Sequence, residues 1–553
     1  MKLQAKNKLW PLLPAVLFTA IMAGAGLWMA AIESFTSPGG TINSAAYKEL
    51  LMNPSFQASF LYSLKITVIS VTVSMIIGLL IVRSTYPLLQ KKHLRLAAWI
   101  PMLFPHFVWG YMVYLLFSQS GWFSTLFFQV GFIESPEGFP EIMKSEGGAG
   151  IILTYLWKEV PFVILILLPV YQQLNMAKKE AVYTLGGSKW EAFKTVEWPV
   201  ILPSLIEIFV ILFSFIFAAY EVPALLGATY PKMISVLTFE WFYSGDWSRR
   251  PLAFAAMITT AAAILIGLFT VYMILNRQRE RITKESTIEN TGAVKGSKAI
   301  IFITIGFFLF PAVFVMFKSA AVSWKWGHVL PDFFSMRSYM TLFQEPKLFE
   351  AVIQSAEIAL WVIGLNLFIG TPAAKVLAHQ SFRGKAAIET LLLTPIIVPA
   401  LTIALGLHIV FIRAGLANGM AGVVLIHMLP TLPYTIKVMR SGFERIGVKW
   451  EEQAKTLGAG SLSIFYRIFL PQLLPSIRSV IFLVCTISLS QYLLTALIGG
   501  GLVVTLASLF FPYFSSADDA MIASFSVLFA LIPILIWLLF EGFIRLVTPY
   551  QKR

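Results

Sequence analysis

The sequence predicts an all-α integral membrane protein of about twelve transmembrane helices, arranged as two parallel six-helix repeats. Three observations predict this. Of its 553 residues, 58% are hydrophobic and only 13% are charged, about half the charged share of a soluble chain. Apolar stretches long enough to cross a hydrocarbon core of about 30 Å recur from end to end. The second half of the chain also repeats marks of the first at fixed distances.

The apolar stretches are 9–32, 60–82, 97–117, 148–171, 203–220 and 253–275. The second series is 299–317, 355–377, 386–412, 419–439, 475–494 and 520–540. Lys2, Lys6 and Lys8 precede the first stretch. At about 24 residues it exceeds the apolar region of a secretory signal, so it is expected to stay as a membrane helix.

A net charge of +14 on a soluble chain would suggest nucleic acid. Here the charge sorts by loop. The termini and loops 83–96, 172–202, 276–298, 378–386 and 440–474 carry 27 Lys and Arg, and the alternate loops carry 10. Basic loops stay in the cytoplasm, so both termini are expected inside. Loop 118–147, on the expected outer side, is acidic through Glu134, Glu137, Glu141 and Glu146. The lone cysteine, Cys485, cannot form an internal disulfide, and no Cys/His group has zinc spacing. The polar stretch 276–298 reads as a linker between a first half, 1–275, and a second half, 299–553. Its GAVKGSK lacks the spacing of a phosphate loop. ATP hydrolysis, catalytic residues, a metal site and a cofactor are therefore not expected in this chain.

Pro54, Ser63, Gly78 and Arg83 recur 292 positions later as Pro346, Ser355, Gly370 and Lys375. Pro101 and Pro105 recur 294 positions later as Pro395 and Pro399. From Pro161 and Pro433 onward the offset is 272. The drop places one length difference in the loop 118–147, whose counterpart is the short 413–418. Six spans per half return each half to its starting side, so the repeats are parallel, and such proteins place the solute path between them.

Two loops expected in the cytoplasm share a pattern. Residues 180–199 read EAVYTLGGSKWEAFKTVEWP, and residues 452–471 read EQAKTLGAGSLSIFYRIFLP. In each, glycine (Gly186, Gly458) follows glutamate (Glu180, Glu452) by six. A β-branched residue (Val196, Ile468) follows the glycine by ten, and proline (Pro199, Pro471) comes three later. The spacing predicts a short helix, a glycine break that takes left-handed angles, and a second helix stopping before the proline. Trp190, Phe193 and Val196 form one apolar stripe, and Leu462, Phe465 and Ile468 form its counterpart. Such a stripe must be buried, either at the lipid interface or in a partner's groove.

This pattern resembles the EAA loop of the permeases of ABC-type importers. The departures are Val182 for the second alanine, Gln453 for the first, and Trp198 for leucine. The resemblance implies the fold of a type I importer permease, fused from two halves and most similar to the ferric iron, thiamine and polyamine group. It implies that Glu180, Ala181, Gly186, Trp190, Phe193, Val196 and Pro199 contact one ATPase subunit. Glu452, Ala454, Gly458, Leu462, Phe465, Ile468 and Pro471 would contact a second copy. ATP and Mg would sit on that ATPase, an extracytoplasmic solute-binding protein would deliver the cargo, and the chain would lie in a bacterial inner membrane. The rival is an ion-coupled transporter of the major-facilitator type, whose usual loop G-x-x-x-D-[RK]-x-G-R-R is not matched by RSTYPLLQKKHLR at 83–95.

Charges inside spans are rare and often functional. Lys65 and Glu357 occupy nearly the same repeat position with opposite sign, and they read either as an outer gate or as side chains reaching the headgroups. Lys158 and Glu159 lie deeper. Neighbours in sequence do not face each other on a helix, so they need separate partners, in the solute path or in the bundle. His106, His408 and His427 read as bundle histidines rather than metal ligands. Glu221 and Gln491 begin turns that end the fifth and eleventh spans, and they are further path or gate candidates.

Overall fold

The computed structural model describes residues 9–279 and 297–547, apart from residues 38, 90, 92, 93, 95–99, 173, 175, 323, 516 and 517. Nearly all of it is helix. A bilayer core offers no water to backbone groups, so a crossing chain must satisfy them within itself. The helices used below are α1 (Leu13–Phe35), α2 (Pro54–Thr85), α3 (His106–Phe117), α4 (Ala149–Gln172), α5 (Met176–Thr184), α6 (Trp198–Phe217), α7 (Glu221–Leu226), α8 (Ile234–Tyr243), α9 (Arg250–Arg279) and α10 (Ser297–Ser319). They continue as α11 (Leu348–His379), α12 (Lys385–Ile397), α13 (Ala400–Arg413), α14 (Met420–Ile446), α15 (Lys449–Thr456), α16 (Leu470–Leu489), α17 (Tyr492–Gly499) and α18 (Asp519–Val547). Ala321–Val322 and Phe333–Phe334 form a small antiparallel pair.

Among the described residues, ten helices are long and apolar enough to cross a membrane, and a bent pair makes an eleventh. The stretch expected at 97–117 contains the 12-residue α3, and residues 95–99 lie outside the described set. The stretch expected as one span at 386–412 is the bent pair. Its parts α12 and α13 meet at 90°. Pro399 supplies no N–H, and it holds Val398 extended at φ −85°, ψ 135°. Pro395 lies inside α12. The expected linker 276–298 falls mostly on residues 280–296, outside the described residues.

The chain divides into two compact units. The first comprises residues 1–43, 342–516 and 528–553, and the second residues 44–341 and 517–527. These units cut across the sequence halves. In the first unit α11 packs along α14, α14 along α16, and α1 along α13. In the second unit α2 packs along α4, α6 against both, and α10 against α2 and α3. Thus α1 belongs with second-half helices, and α10 with first-half helices.

Each unit explains the residues that repeat. A Cβ on Gly78 would lie 2.6 Å from Val163 Cγ1 of α4, and one on Gly370 would lie 3.0 Å from Thr435 Cγ2 of α14. Each glycine lets its pair of helices, α2 with α4 and α11 with α14, approach closely. Ser63 Oγ accepts from Ile234 N at 2.8 Å at the start of α8, and Ser355 Oγ accepts from Leu506 N at 2.7 Å at the start of Leu506–Phe510. Each serine satisfies an amide that a helix leaves unpaired at its start.

The α1–α13 contact is the tightest. A Cβ on Gly26 would lie 2.6 Å from Ile403 O, and one on Gly406 would collide with Gly26 O. Backbone cannot yield as a side-chain tip can. Gly406→Ala is therefore expected to cost about 1–3 kcal/mol. Gly24→Ala, with nothing within 4 Å, should cost nothing. Thermal melting of the detergent-solubilised variants checks this, and equal melting temperatures would refute the close contact.

Candidate functional site

The two patterned loops fold alike. In the first, α5 ends at Gly186, which takes φ +82°, and Gly187 N donates to Val182 O at 2.8 Å. In the second, α15 ends at Gly458 with φ +78°, and Ala459 N donates to Ala454 O at 3.0 Å. These reverse bonds satisfy carbonyls left open at a helix end. The hydroxyls of Thr184 and Thr456 donate to the carbonyls of Glu180 and Glu452, both at 2.9 Å. Ser188 and Glu191 then form a capping box at the next helix start. The second loop uses Gly460 at that position without a side-chain cap.

The second helix does not stop before the proline as expected. It widens into a π-turn at Phe193–Glu197 and runs on as α6, and its counterpart widens at Phe465–Phe469 and runs on as α16. Pro199 and Pro471 fall in the first turn after each widening. A π-turn shifts the bonding by one residue, and the start of a helix is where a missing N–H is tolerated.

The apolar stripe is split. Phe193, Val196, Phe465 and Ile468 are half-buried, whereas Trp190 is 67% and Leu462 72% exposed. Leu185 and Leu457, just before the glycines, are each 87% exposed, and sequence reasoning gave them no role. Leu185 with Leu457 and Trp190 with Leu462 are each 272 positions apart. Each loop thus presents two large apolar side chains at the same register. Glu180, Ala181 and Glu452 are exposed, Ala454 is buried, and Pro199 and Pro471 are half-buried.

Behind each π-turn lies a buried anchor that the sequence reading also missed. Glu197, 1% exposed, receives Arg83 Nε at 2.8 Å, Lys179 Nζ at 2.7 Å and the Tyr171 hydroxyl at 3.2 Å. Arg83 also lies 4.7 Å from the Phe193 ring centroid. In the second loop, Phe469 stands where the first has Glu197, and it is equally buried. Its ring meets Phe443 at 5.4 Å and lies 4.5 Å from Lys375 Nζ. Lys375 bonds Glu451 of α15 at 3.0 Å, and Lys455 bonds the same carboxylate at 2.8 Å. Burial pushes the Glu451 carboxyl up. The hydrogen bonds and charges of Lys455 and Lys375 outweigh that and hold it below the usual carboxylate range. A mismatch between copies, glutamate against phenylalanine at one register, was the available signal.

The charges within spans resolve separately. Lys158 Nζ donates to the carbonyls of Phe104 at 2.6 Å, Pro101 at 3.2 Å and Met102 at 3.3 Å. It covers oxygens left open where the helix breaks before Pro105, which has no N–H to offer. Glu159 Oε1 lies 2.9 Å from His106 Nε2. The two neighbours thus have the separate partners expected of them, within one unit. His427 bonds Ser488 at 3.0 Å and Thr495 at 2.9 Å. Lys65 and Glu357 are exposed on α2 and α11. Gln491 donates to Ile487 O at 3.1 Å, and Glu221 opens α7 half-buried.

Two outcomes are expected. Lys158→Met leaves the Met102 and Phe104 carbonyls without their donor, which costs about 1–3 kcal/mol. Lys158→Arg should recover part of the lost melting temperature, and a Met variant as stable as wild type would refute the capping role. Glu451 is depressed in the folded state, so its contribution is complete above the ordinary carboxylate pKa of about 4.3 and is lost as pH falls through the lower folded value. Melting measured between neutral and acid pH should show this loss in wild type and a smaller one in Glu451→Gln.

The family described as the inner membrane component of binding-protein-dependent transport systems matches residues 90–284 and again residues 366–553. The inner membrane ABC transporter permease protein YnjC of Escherichia coli is 22% identical over 502 residues, covering 89% of each chain. A putative ferric transport system permease of Haemophilus influenzae is 23% identical, covering 69% of this chain and 60% of that one. The spermidine/putrescine permease PotC of the same organism is 28% identical over 36% of this chain and 78% of its own. The structure of a bacterial ABC transporter that imports the acidic polysaccharide alginate covers 48% of this chain and 100% of that one, with 15% identity and a TM-score of 0.34. The double match spans most of the chain: the protein is a multi-pass membrane protein of the ABC importer permease family, with the family's unit present twice in one polypeptide.

Proposed function

We propose that this chain forms the complete solute path of an ATP-driven importer, and that loops 180–199 and 452–471 are its two docking points for separate ATPase subunits. One observation carries the reading. Two loops at matching register each end a helix at a left-handed glycine and hold two large apolar side chains in the open: Leu185 with Trp190, and Leu457 with Leu462. Such knobs on short, capped helices fit grooves of a partner protein. Two alike call for two copies of one partner.

The excess of basic residues in these loops supports a cytoplasmic position for the docking points and both termini, with the chain in a bacterial inner membrane. ATP and Mg belong to the ATPase. Closing of the ATPase pair on ATP would push both loops, and this push would open the path outward. An extracytoplasmic binding protein would supply the solute, a small charged species such as iron, thiamine, a polyamine or a small ion. Lys65, Glu357, Glu221 and Gln491 are the side chains proposed to line the path or gate it. The ion-coupled alternative has no support from the family match.

The test is co-purification from native membranes through a tag on this chain. Wild type should retain an ATPase at about two copies per chain. Leu185→Glu with Leu457→Glu should reach the membrane equally well, since both positions are exposed. Each loses an apolar contact of about 1.5–3 kcal/mol, so retention should drop at least about tenfold. Undiminished retention by the double variant would remove these loops as the docking points.

A further inference from the structure

We propose that the two loops are fastened to the membrane helices by different chemistry, and that Glu197 and Phe469 are the positioning residues of the two fastenings. The proposal rests on the docking role given to the loops above.

The positions correspond one to one. Arg83 and Lys375 are 292 apart, while Tyr171 and Phe443, Lys179 and Glu451, and Glu197 and Phe469 are each 272 apart. In the first loop the acid sits on the π-turn. Glu197 gathers a cation from the end of α2, a cation from α5 and a hydroxyl from α4. In the second loop the acid has moved to the short helix. Glu451 of α15 takes Lys375 of α11 directly, and the π-turn position becomes a phenylalanine packed on Phe443. The changes compensate. Where the turn loses its acid, the hydroxyl facing it is lost and the lysine of the short helix reverses sign. Each version holds one carboxylate against two cations and ties the same three pieces together: the short helix, the π-turn and the inner end of a long helix.

This arrangement suits force transmission. A docking helix pushed by a partner moves the membrane helices only as far as the link between them is stiff. A π-turn is a natural bending point, and in each loop it is the turn that carries the anchor. Charge-assisted bonds at 2.7 and 2.8 Å have fixed geometry and resist bending. An aromatic contact slides more readily, and the second loop adds the Lys375–Glu451 bond beside it. The two loops are therefore expected to differ in what breaks them. Glu197→Gln breaks the first loop alone, because it leaves Arg83 and Lys179 facing a neutral group. The triple variant Tyr171→Phe, Lys179→Glu, Glu197→Phe carries the acid and the ring of the second loop into the first, with Arg83 paired to the new acid at 179 and Tyr183 left in the register of Lys455.

The experiment uses the whole complex, purified with its ATPase and reconstituted in liposomes with its binding protein. Two quantities are read: ATPase retained per chain, and hydrolysis stimulated by the binding protein per retained ATPase. Glu197→Gln should keep its ATPase yet lose stimulated hydrolysis by at least about tenfold, the scale of breaking a buried charge pair. The triple variant should return to within about threefold of wild type. A purely structural role would instead lower the amount of complex and leave the rate per complex intact, and that result overturns the proposal. So does a Glu197→Gln complex with normal stimulation, or a triple variant that stays uncoupled. If Glu197→Gln fails to accumulate, the triple variant decides: folded and coupled, it supports the proposal, and absent or uncoupled, it refutes it. Should wild type itself retain no ATPase, the docking reading fails first and the fastening role falls with it.

Discussion

Every backbone amide and carbonyl within the bilayer must find a partner inside the protein, and most of this structure follows from that constraint. Helices meet it along their length and fail at their ends and at prolines. The notable polar side chains stand at those failures. Lys158 covers the carbonyls opened by the break before Pro105. Ser63 and Ser355 take the first amides of the short helices that follow. Gly186 and Gly458 turn the chain so that their neighbours satisfy helix ends. A lysine in a span looks anomalous when judged by hydropathy. Judged by the carbonyls around it, the lysine is the missing donor.

Duplication supplied two copies of each such failure, and the copies solved them differently. The first-half cluster of Lys158, Glu159 and His106 is built from ionisable side chains. At the corresponding level in the second half stand Pro430 and Thr431, and a neutral chain runs from Asn366 through Thr431, with His427 bonded to Ser488 and Thr495. The anchors behind the π-turns differ in the same sense, with a carboxylate in one and a ring in the other. The geometry kept in common is that of the helices: the close approaches at Gly78 and Gly370, the serine caps, and the glycine-ended loops. Backbone positions admit few substitutes, whereas side-chain partners can be exchanged as a set.

That distinction explains what the sequence made legible. The spans, the repeats and both loops depend on composition and on residues with unique backbone behaviour, and those can be seen one position at a time. The bend at Val398 and Pro399 was hidden because hydropathy is blind to direction: 386–412 is apolar whether straight or folded at a right angle. The company of α1 with the second-half helices was hidden because helix partners are chosen by surface shape, here the Gly26–Gly406 contact. In the sequence Arg83 shows only as a basic loop residue and a repeat mark, and Glu197 only as one letter of the stretch 180–199. Neither residue is informative alone. Their meaning is in the pairing, which links positions 114 apart.

The compensated exchange also bears on why a fused chain can afford unlike halves. Two separate identical permease subunits would be obliged to use one fastening for both loops, because one sequence serves twice. Fusion removes that obligation. Each loop needs only to keep its carboxylate paired with cations and to stay stiff within its own cluster, and any set of residues that meets both conditions will serve. A single substitution meets neither: glutamate to phenylalanine alone strands two cations, and lysine to glutamate alone sets two carboxylates together. The intermediate steps are therefore costly, as the burial of unpaired charge always is. The two present sets are separated by a barrier in sequence even though they are alike in shape, and that barrier holds the asymmetry in place once it has formed.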